Sequence, residues 1–246
     1  MTARRRLTIC VCALAWAAVA PASAEVLEDW SSGDDSAWTR VDLLDEYGLG
    51  GTSYEVSGGQ YHLTSKVPLP PLDIDMGSAS LYTESVADPA KYADGYLTTR
   101  FTLNNETTDA FVPMRANVTE LDFISFYASQ EDDSVGISVF DNFDYINGTS
   151  ASLDIEPGVE YFLTAGAVGS ELSIKVWAVG TEEPAEPQAV LIDSTYTQGQ
   201  IGVAMFNQHL IGGTLAISYG EVSFVPEAGS LALFAAAGLL LRRRRG

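Results

Sequence analysis

Carboxylates are the commonest reactive groups in this chain, with 33 Asp and Glu against 13 Lys and Arg, so acid–base and hard-metal chemistry come first. Hydrolysis of a glycosidic bond needs two carboxyl groups facing one another, at one of the two separations that set retention or inversion. Closely spaced acidic pairs such as Glu120 and Asp122, in Glu120-Leu121-Asp122-Phe123-Ile124-Ser125, are common in a chain this acidic, and spacing alone does not make one catalytic. Histidine chemistry is thin. His62 alternates with Tyr61 and Leu63, and His209 follows Asn207-Gln208; neither has a spaced partner for zinc or a serine in a nucleophile motif. No glycine-rich loop joins a strand to a helix, which leaves hydride and phosphate handling without support. Calcium stays open, because Asp34-Asp35, Asp73 with Asp75, Glu131-Asp132-Asp133 and Asp141 with Asp144 offer oxygen ligands, although none has the spacing of a calcium loop. Sugar binding would use aromatic faces stacked on pyranose rings. Tyr47, in a glycine-rich loop, and Trp177, opposite an apolar strand face, are the candidates, whereas Trp30 and Trp38 are expected to seal the core.

The charge balance removes one class of partner. The whole chain carries a net charge of −20. Setting aside Arg4, Arg5 and Arg6 removes three positive charges, and setting aside Glu227 with Arg242, Arg243, Arg244 and Arg245 removes a net three more, leaving −26 on residues 25–225. Six basic residues remain there: Arg40, Lys66, Lys91, Arg100, Arg115 and Lys175. Nucleic-acid binding needs a positive patch that releases counterions, and these cannot build one. The acidity keeps copies apart at low salt and is relieved by a saline medium, where screening is short-ranged.

Strands must position whatever site exists, because no sustained 3.6-residue apolar period occurs between the two ends of the chain. In 171–179, Leu172, Ile174 and Val176 share one face, and Ser173, Lys175 and Trp177 the other. Further strands are expected at 96–103, 121–128, 135–140, 159–164 and 200–206, separated by turn clusters such as Ser57-Gly58-Gly59, Asn147-Gly148-Thr149, Glu156-Pro157-Gly158 and Val168-Gly169-Ser170. That spacing is the pattern of an antiparallel β-sandwich. Near the end, Leu215, Ile217 and Tyr219 keep one parity while Val222 and Phe224 take the other, which places a β-bulge beside Gly220. Two irregular loops, 43–52 and the proline-bearing 67–77, are expected to form an edge surface.

Both ends of the chain read as addresses. Arg4-Arg5-Arg6 precede an apolar stretch, 7–20, that closes with Pro21-Ala22-Ser23-Ala24. This is the layout of a secretory signal peptide, 1–24, with Ala22 and Ala24 as the small residues a signal peptidase accepts and cleavage after Ala24. Cys10 and Cys12 would leave with it, so the mature chain would have no thiol chemistry and its stability must come from a packed core. At the other end Val225-Pro226-Glu227-Ala228-Gly229 is followed by an apolar run, 230–241, and by Arg242, Arg243, Arg244 and Arg245. As a helix the run is roughly 18 Å long against a hydrocarbon core of about 30 Å. It could cross only with thinning or snorkelling, and its arginines put the terminus on the cytoplasmic side.

That tail, 225–246, resembles the PEP-CTERM sorting signal of Gram-negative bacteria: a Val-Pro-Glu-Pro-like motif, a short transmembrane segment and terminal arginines. Ala228 stands where the second proline usually falls. The resemblance implies processing by an exosortase near Pro226-Glu227, transient anchoring in the inner membrane, and a surface or extracellular location. Residues 25–224 resemble the concanavalin A-like, laminin G-like jelly-roll sandwiches. The resemblance is carried by Glu28-Asp29-Trp30, Trp38-Thr39-Arg40-Val41-Asp42, Ser57-Gly58-Gly59-Gln60-Tyr61-His62-Leu63, Val159-Glu160-Tyr161-Phe162-Leu163, Leu172-Ser173-Ile174-Lys175-Val176-Trp177 and Gly199-Gln200-Ile201-Gly202-Val203. It implies an all-β antiparallel fold. Hydrolases of that kind carry Glu-x-Asp-x-x-Glu on one strand, and here Ser125 replaces the third carboxylate. A structural ion that ties the first strand to the last would, by the same resemblance, use Glu28, Asp29 and Glu221. The expectation is therefore an exported, non-catalytic surface or matrix protein associated with extracellular polysaccharide. The alternative is a secreted glycan-active enzyme that uses Glu120 and Asp122.

Overall fold

The computed structural model describes residues 23–42, 51–67, 76–104, 108–207 and 213–227, and these form two antiparallel sheets around one core. Neighbour by neighbour, the first sheet runs β13 (Ala189–Ile192), β12 (Glu171–Ala178), β11 (Glu160–Val168), β6 (Gly95–Leu103), β15 (Gly213–Pro226), β4 (Gln60–Val67) and β3 (Thr52–Ser57). The short strand β1 (Glu25–Glu28) also pairs with β15. The second sheet runs β10 (Asp144–Ser152), β9 (Ser134–Asp141), β8 (Asp122–Ser129), β7 (Asp109–Asn117), β14 (Gly202–Asn207), β5 (Met76–Tyr82) and β2 (Trp38–Asp42). A one-turn helix, α1 (Thr83–Ala87), follows β5 and was not foreseen, since five residues are too few to show a helical period.

Alternation builds the core as expected. Leu97, Phe101 and Leu103 of β6 and Leu172, Ile174 and Val176 of β12 point inward from the first sheet; they meet Val112, Ile124, Phe126, Ile137 and Val203 from the second. Trp30 and Trp38 do close one side of this core, Trp30 lying 4.5 Å from the Tyr61 ring at 14°. The bulge also falls where the parity change put it. The β15–β6 register shifts between Tyr219 and Val222, which lets Tyr219, Val222 and Phe224 all be buried. The Gly220 carbonyl freed there accepts the Trp30 indole N–H at 2.6 Å.

Tyr219 joins the two sheets. Its hydroxyl crosses from β15 to donate to the Ala204 carbonyl (2.5 Å) and to accept the Phe111 N–H (3.2 Å). Arg115, also buried, sits at the end of β7 with φ 51° and gathers three connections at that end of the sandwich. It donates to the carbonyls of Ala93, Gly169 and Tyr196 and pairs with Asp94 at 2.9 Å.

Two sequence expectations are corrected here. Asn147-Gly148-Thr149 is not a turn but lies inside β10, and the chain instead reverses at Asn142 and Phe143, both at positive φ (50° and 67°). Gly148 is needed within the strand because a Cβ there would lie 2.7 Å from the Ile137 carbonyl oxygen. The sandwich also ends later than residue 224: Val225 and Pro226 pair with Tyr96 and Gly95, and the Glu227 N–H donates to the Asp94 carbonyl at 3.1 Å. Of the two irregular loops, 43–50 and 68–75 lie outside the described residues, while Thr52 already belongs to β3 and Gly77 to β5.

Candidate functional site

Strands β7 and β8 are buried along both of their faces, a pattern that an ordinary sandwich strand with one wet face does not give. The residues responsible lie on the side of the second sheet turned away from the core, and register aligns them in three rows. Ser150, Gly136, Tyr127, Phe111, Ala204, Ala79 and Val41 form the first row across the sheet. Gly148, Ser138, Ser125 and Pro113 form the second, and Tyr145, Phe140 and Phe123 the third. Period-two alternation requires this face once the opposite parity is committed to the core.

The rings meet across the rows. Phe111 lies 5.7 Å from Tyr127 at 22° and 4.6 Å from Phe206; Phe123 stacks on Phe140 at 4.7 Å. Phe143, thrown forward by the positive-φ turn, stands about equally far from Phe123 (6.0 Å), Phe140 (6.1 Å) and Phe206 (6.0 Å) and so reaches over the middle row. Two hollows result, sharing Phe111 and Phe206. One is mixed, combining the faces of Phe140 and Tyr145 with the hydroxyls of Tyr127, Ser138 and Ser150 and the carboxylate of Asp132. The other is apolar, with Pro113, Phe123, Phe143 and Ala204 among its walls. Burial raises the Tyr127 phenol above its ordinary pKa, against hydrogen bonding to Ser134 and Ser150, so it stays a neutral donor. Tyr145 is 62% exposed and available at the rim.

The mixed hollow has the composition that sugar recognition requires, with flat rings for the apolar face of a pyranose and hydroxyls and a carboxylate for its hydroxyl groups. Asp132 is the only carboxylate among its described lining residues. Of the catalytic candidates, Glu120 is exposed in the β7–β8 turn, and Asp122 accepts the Asn142 N–H at 2.9 Å; neither lines either hollow.

The other anticipated residues are dispersed. Trp177 faces outward from the first sheet, where it stacks on Phe162 at 5.1 Å and 23°. Tyr47 lies outside the described residues, as do Ala22 and the arginines at 242–245. Strand β1 does pair with β15, Glu28 opposite Val222. The Glu28 carboxylate, however, accepts the Trp30 N–H (2.9 Å) and the Asp29 carboxylate the Ser31 N–H (2.9 Å), and among the described residues no three His, Cys, Asp or Glu side chains converge to hold a metal. Hydrogen bonds to Ser31 hold the Asp29 pKa below its ordinary value. His62 is held within the first sheet, its Nδ1 2.8 Å from the Ser218 hydroxyl. The aromatic face was not legible because its rings come from five strands and a turn; only the unusual two-sided apolarity of Asp109–Asn117 hinted at it in the sequence.

No protein-family model and no curated protein matches the chain. Among solved structures it is similar to a carbohydrate-binding module, CBM66, from Bacillus subtilis, with 15% identity and a TM-score of 0.51 over 76% of this chain and 93% of that one. It is similar also to a Bacillus licheniformis β-glucanase (11% identity, TM-score 0.54, 85% and 99% covered) and to a Lotus tetragonolobus seed lectin (10% identity, TM-score 0.52, 84% and 98% covered). At these identities the likeness shows the fold: a two-sheet antiparallel jelly-roll sandwich of the lectin and glucanase kind.

Proposed function

We propose that this chain is an exported, non-catalytic protein that holds extracellular polysaccharide on the outer face of its second sheet. The observation that carries the reading is the mixed hollow, where Phe140, Tyr145 and Tyr127 stand beside Ser138, Ser150 and Asp132. A single carboxylate among its described walls favours holding a glycan over cleaving one, since hydrolysis takes two. Fold likeness to a carbohydrate-binding module and a lectin is consistent with this use.

Export and processing complete the reading. Strand β1 opens at Glu25, directly after the small-residue site at Ala24, so cleavage there would leave the sandwich intact. Strand β15 runs to Pro226, within the Val225-Pro226-Glu227 motif that an exosortase would use. Signal peptidase and exosortase are thus the proposed processing partners, and the cell surface or matrix the destination.

Retention of the protein on a glycan array and on host exopolysaccharide, in calcium and in chelator, tests the reading. Retention on at least one polysaccharide is expected. Failure on every glycan under both conditions would refute it, and hydrolysis of a β-glucan that disappears in Glu120→Gln would replace it with the enzymatic alternative.

A further inference from the structure

We propose that the apolar hollow beside the sugar-like one is a binding site for a single acyl or alkyl chain, so that this face takes an amphiphile, a glycan carrying a lipid or acyl substituent. The proposal rests on the polysaccharide reading for the sugar end and on separate observations for the apolar end. Ser78 and Ser125 are the only described lining residues of the hollow with polar side chains. The Ser78 hydroxyl is already engaged with Asp42 and Thr52. Apart from Ser125, nothing in such a wall can satisfy a sugar hydroxyl, and leaving the several polar groups of a sugar unpaired there is costly.

The hollow is built into the sheet. β14 pairs with β7 only at Asp109, Ala110 and Phe111, and the two segments meet again at the isolated bridge between Ala116 and Gln200. Pro113 stands in the interval without an N–H to offer, so β7 breaks its ladder there and leaves an apolar furrow in place of a paired edge. Small side chains keep the furrow open: Gly77, Ala79 and Ala204 lie where larger residues would fill it. Its span along β5 from Gly77 to Leu81 is about 13 Å at roughly 3.3 Å per residue. Phe111 and Phe206 wall both hollows, so the two lie side by side.

One polar group points to what enters. Ser125 is fully buried on the middle row, and its hydroxyl has no hydrogen-bond partner. Buried hydroxyls are normally satisfied. A lone donor among apolar walls suits the ester or amide carbonyl that joins an acyl chain to a sugar, with the chain in the furrow and the sugar over Phe140 and Tyr145.

The test is titration of the full-length protein with glucose, with butyl, hexyl, octyl and decyl β-glucosides and with the matching O-acyl glucoses, all below micelle-forming concentrations. Affinity is expected to rise by about four-fold for each added methylene that is buried and to level off once the chain outruns the furrow. Ala79→Trp, on the far side of the furrow from the mixed hollow, should remove that rise while keeping the response to free oligosaccharide. Ser125→Ala should weaken the acyl esters by about five-fold and leave the alkyl glucosides unchanged, a readout that a folding defect would not produce. Affinity independent of chain length, with oligosaccharide still bound, overturns this inference and leaves the polysaccharide reading standing. Plain alkanols binding as well as the glucosides would instead remove the polysaccharide reading and keep the furrow as an alkyl site. Binding that appears only after Phe234→Asp, which breaks the apolar C-terminal run, would assign the furrow to that run and overturn the proposal.

Discussion

Tyr219 shows how much of the candidate site depends on a residue that does not line it. From the first sheet its hydroxyl fixes the Phe111 N–H and the Ala204 carbonyl, the backbone beneath both hollows. Burial raises its phenol pKa, so it remains protonated and able to donate. Tyr219→Phe leaves both groups unpaired in the core and is expected to cost roughly 1–3 kcal/mol. For a domain of this size that lowers the melting temperature by about 2–4 °C per kcal/mol. A melting temperature unchanged within error would mean that the bridge contributes nothing. The sequence made Tyr219 legible as a core position through its parity with Leu215 and Ile217, but not as the tie between sheets, because its partners are 108 and 15 residues distant. Trp177 drew attention because the alternation of one strand displays it. Phe111, Tyr127 and Phe140 did not, because their common face exists only once β7, β8 and β9 are in register.

At the scale of the element, local rules held where backbone chemistry was local and failed where a neighbouring strand overrode it. Gly58 and Gly59 form the turn that their residue types favour, with φ of 61° and 75°. Asn147-Gly148 carries the same signal, yet the chain stays extended there: Ile137 comes too close for any side chain at 148, and Asn147 donates to Asp193 at 2.7 Å. Gly148 is thus a packing requirement between β9 and β10. Gly148→Ala should destabilise by about 1–3 kcal/mol as an overpacked site. Because its Cβ would also lie 2.8 Å from the Tyr145 hydroxyl, it should weaken glycan retention too. Urea unfolding and a retention assay on the same sample check both. A variant as stable as the parent would show that the two strands can part without loss. The bulge at Gly220 was legible because two runs of alternating apolar residues with opposite parity can share one face only if a residue is inserted between them.

For the whole molecule, a two-sheet sandwich followed from strand spacing, whereas strand order did not, since neighbours such as β15 and β6 or β7 and β14 are far apart in the chain. Charge acts at this scale as well. Burial opposes ionisation of Asp35, but Arg40 and the Tyr61 hydroxyl outweigh it and hold the carboxylate below its ordinary pKa. Asp193 is likewise opposed by burial and held down by Asn147 and Thr195. A carboxylate depressed on folding contributes stability above its unfolded value, near 3.8, and that contribution is lost as pH falls through the lower folded value. Urea midpoints are therefore expected to carry these two contributions from neutral pH to about pH 4 and to lose them below it. The double variant Asp35→Asn with Asp193→Asn should show a shallower acid loss than the parent. Equal acid dependence in the two proteins would contradict the assignment.

The claim that binds these scales together is that glycan sits on the outer face of the second sheet, and it is tested most directly by comparing the exposed Tyr145 with the half-buried Trp177 on the opposite side of the sandwich. In isothermal titration with the retained polysaccharide, Tyr145→Ala is expected to lose about three- to ten-fold in affinity, the equivalent of one ring contact, with its fold unchanged, while Trp177→Ala binds as the parent does. The opposite result, affinity lost with Trp177 and kept without Tyr145, would contradict the account and move the site to the first sheet.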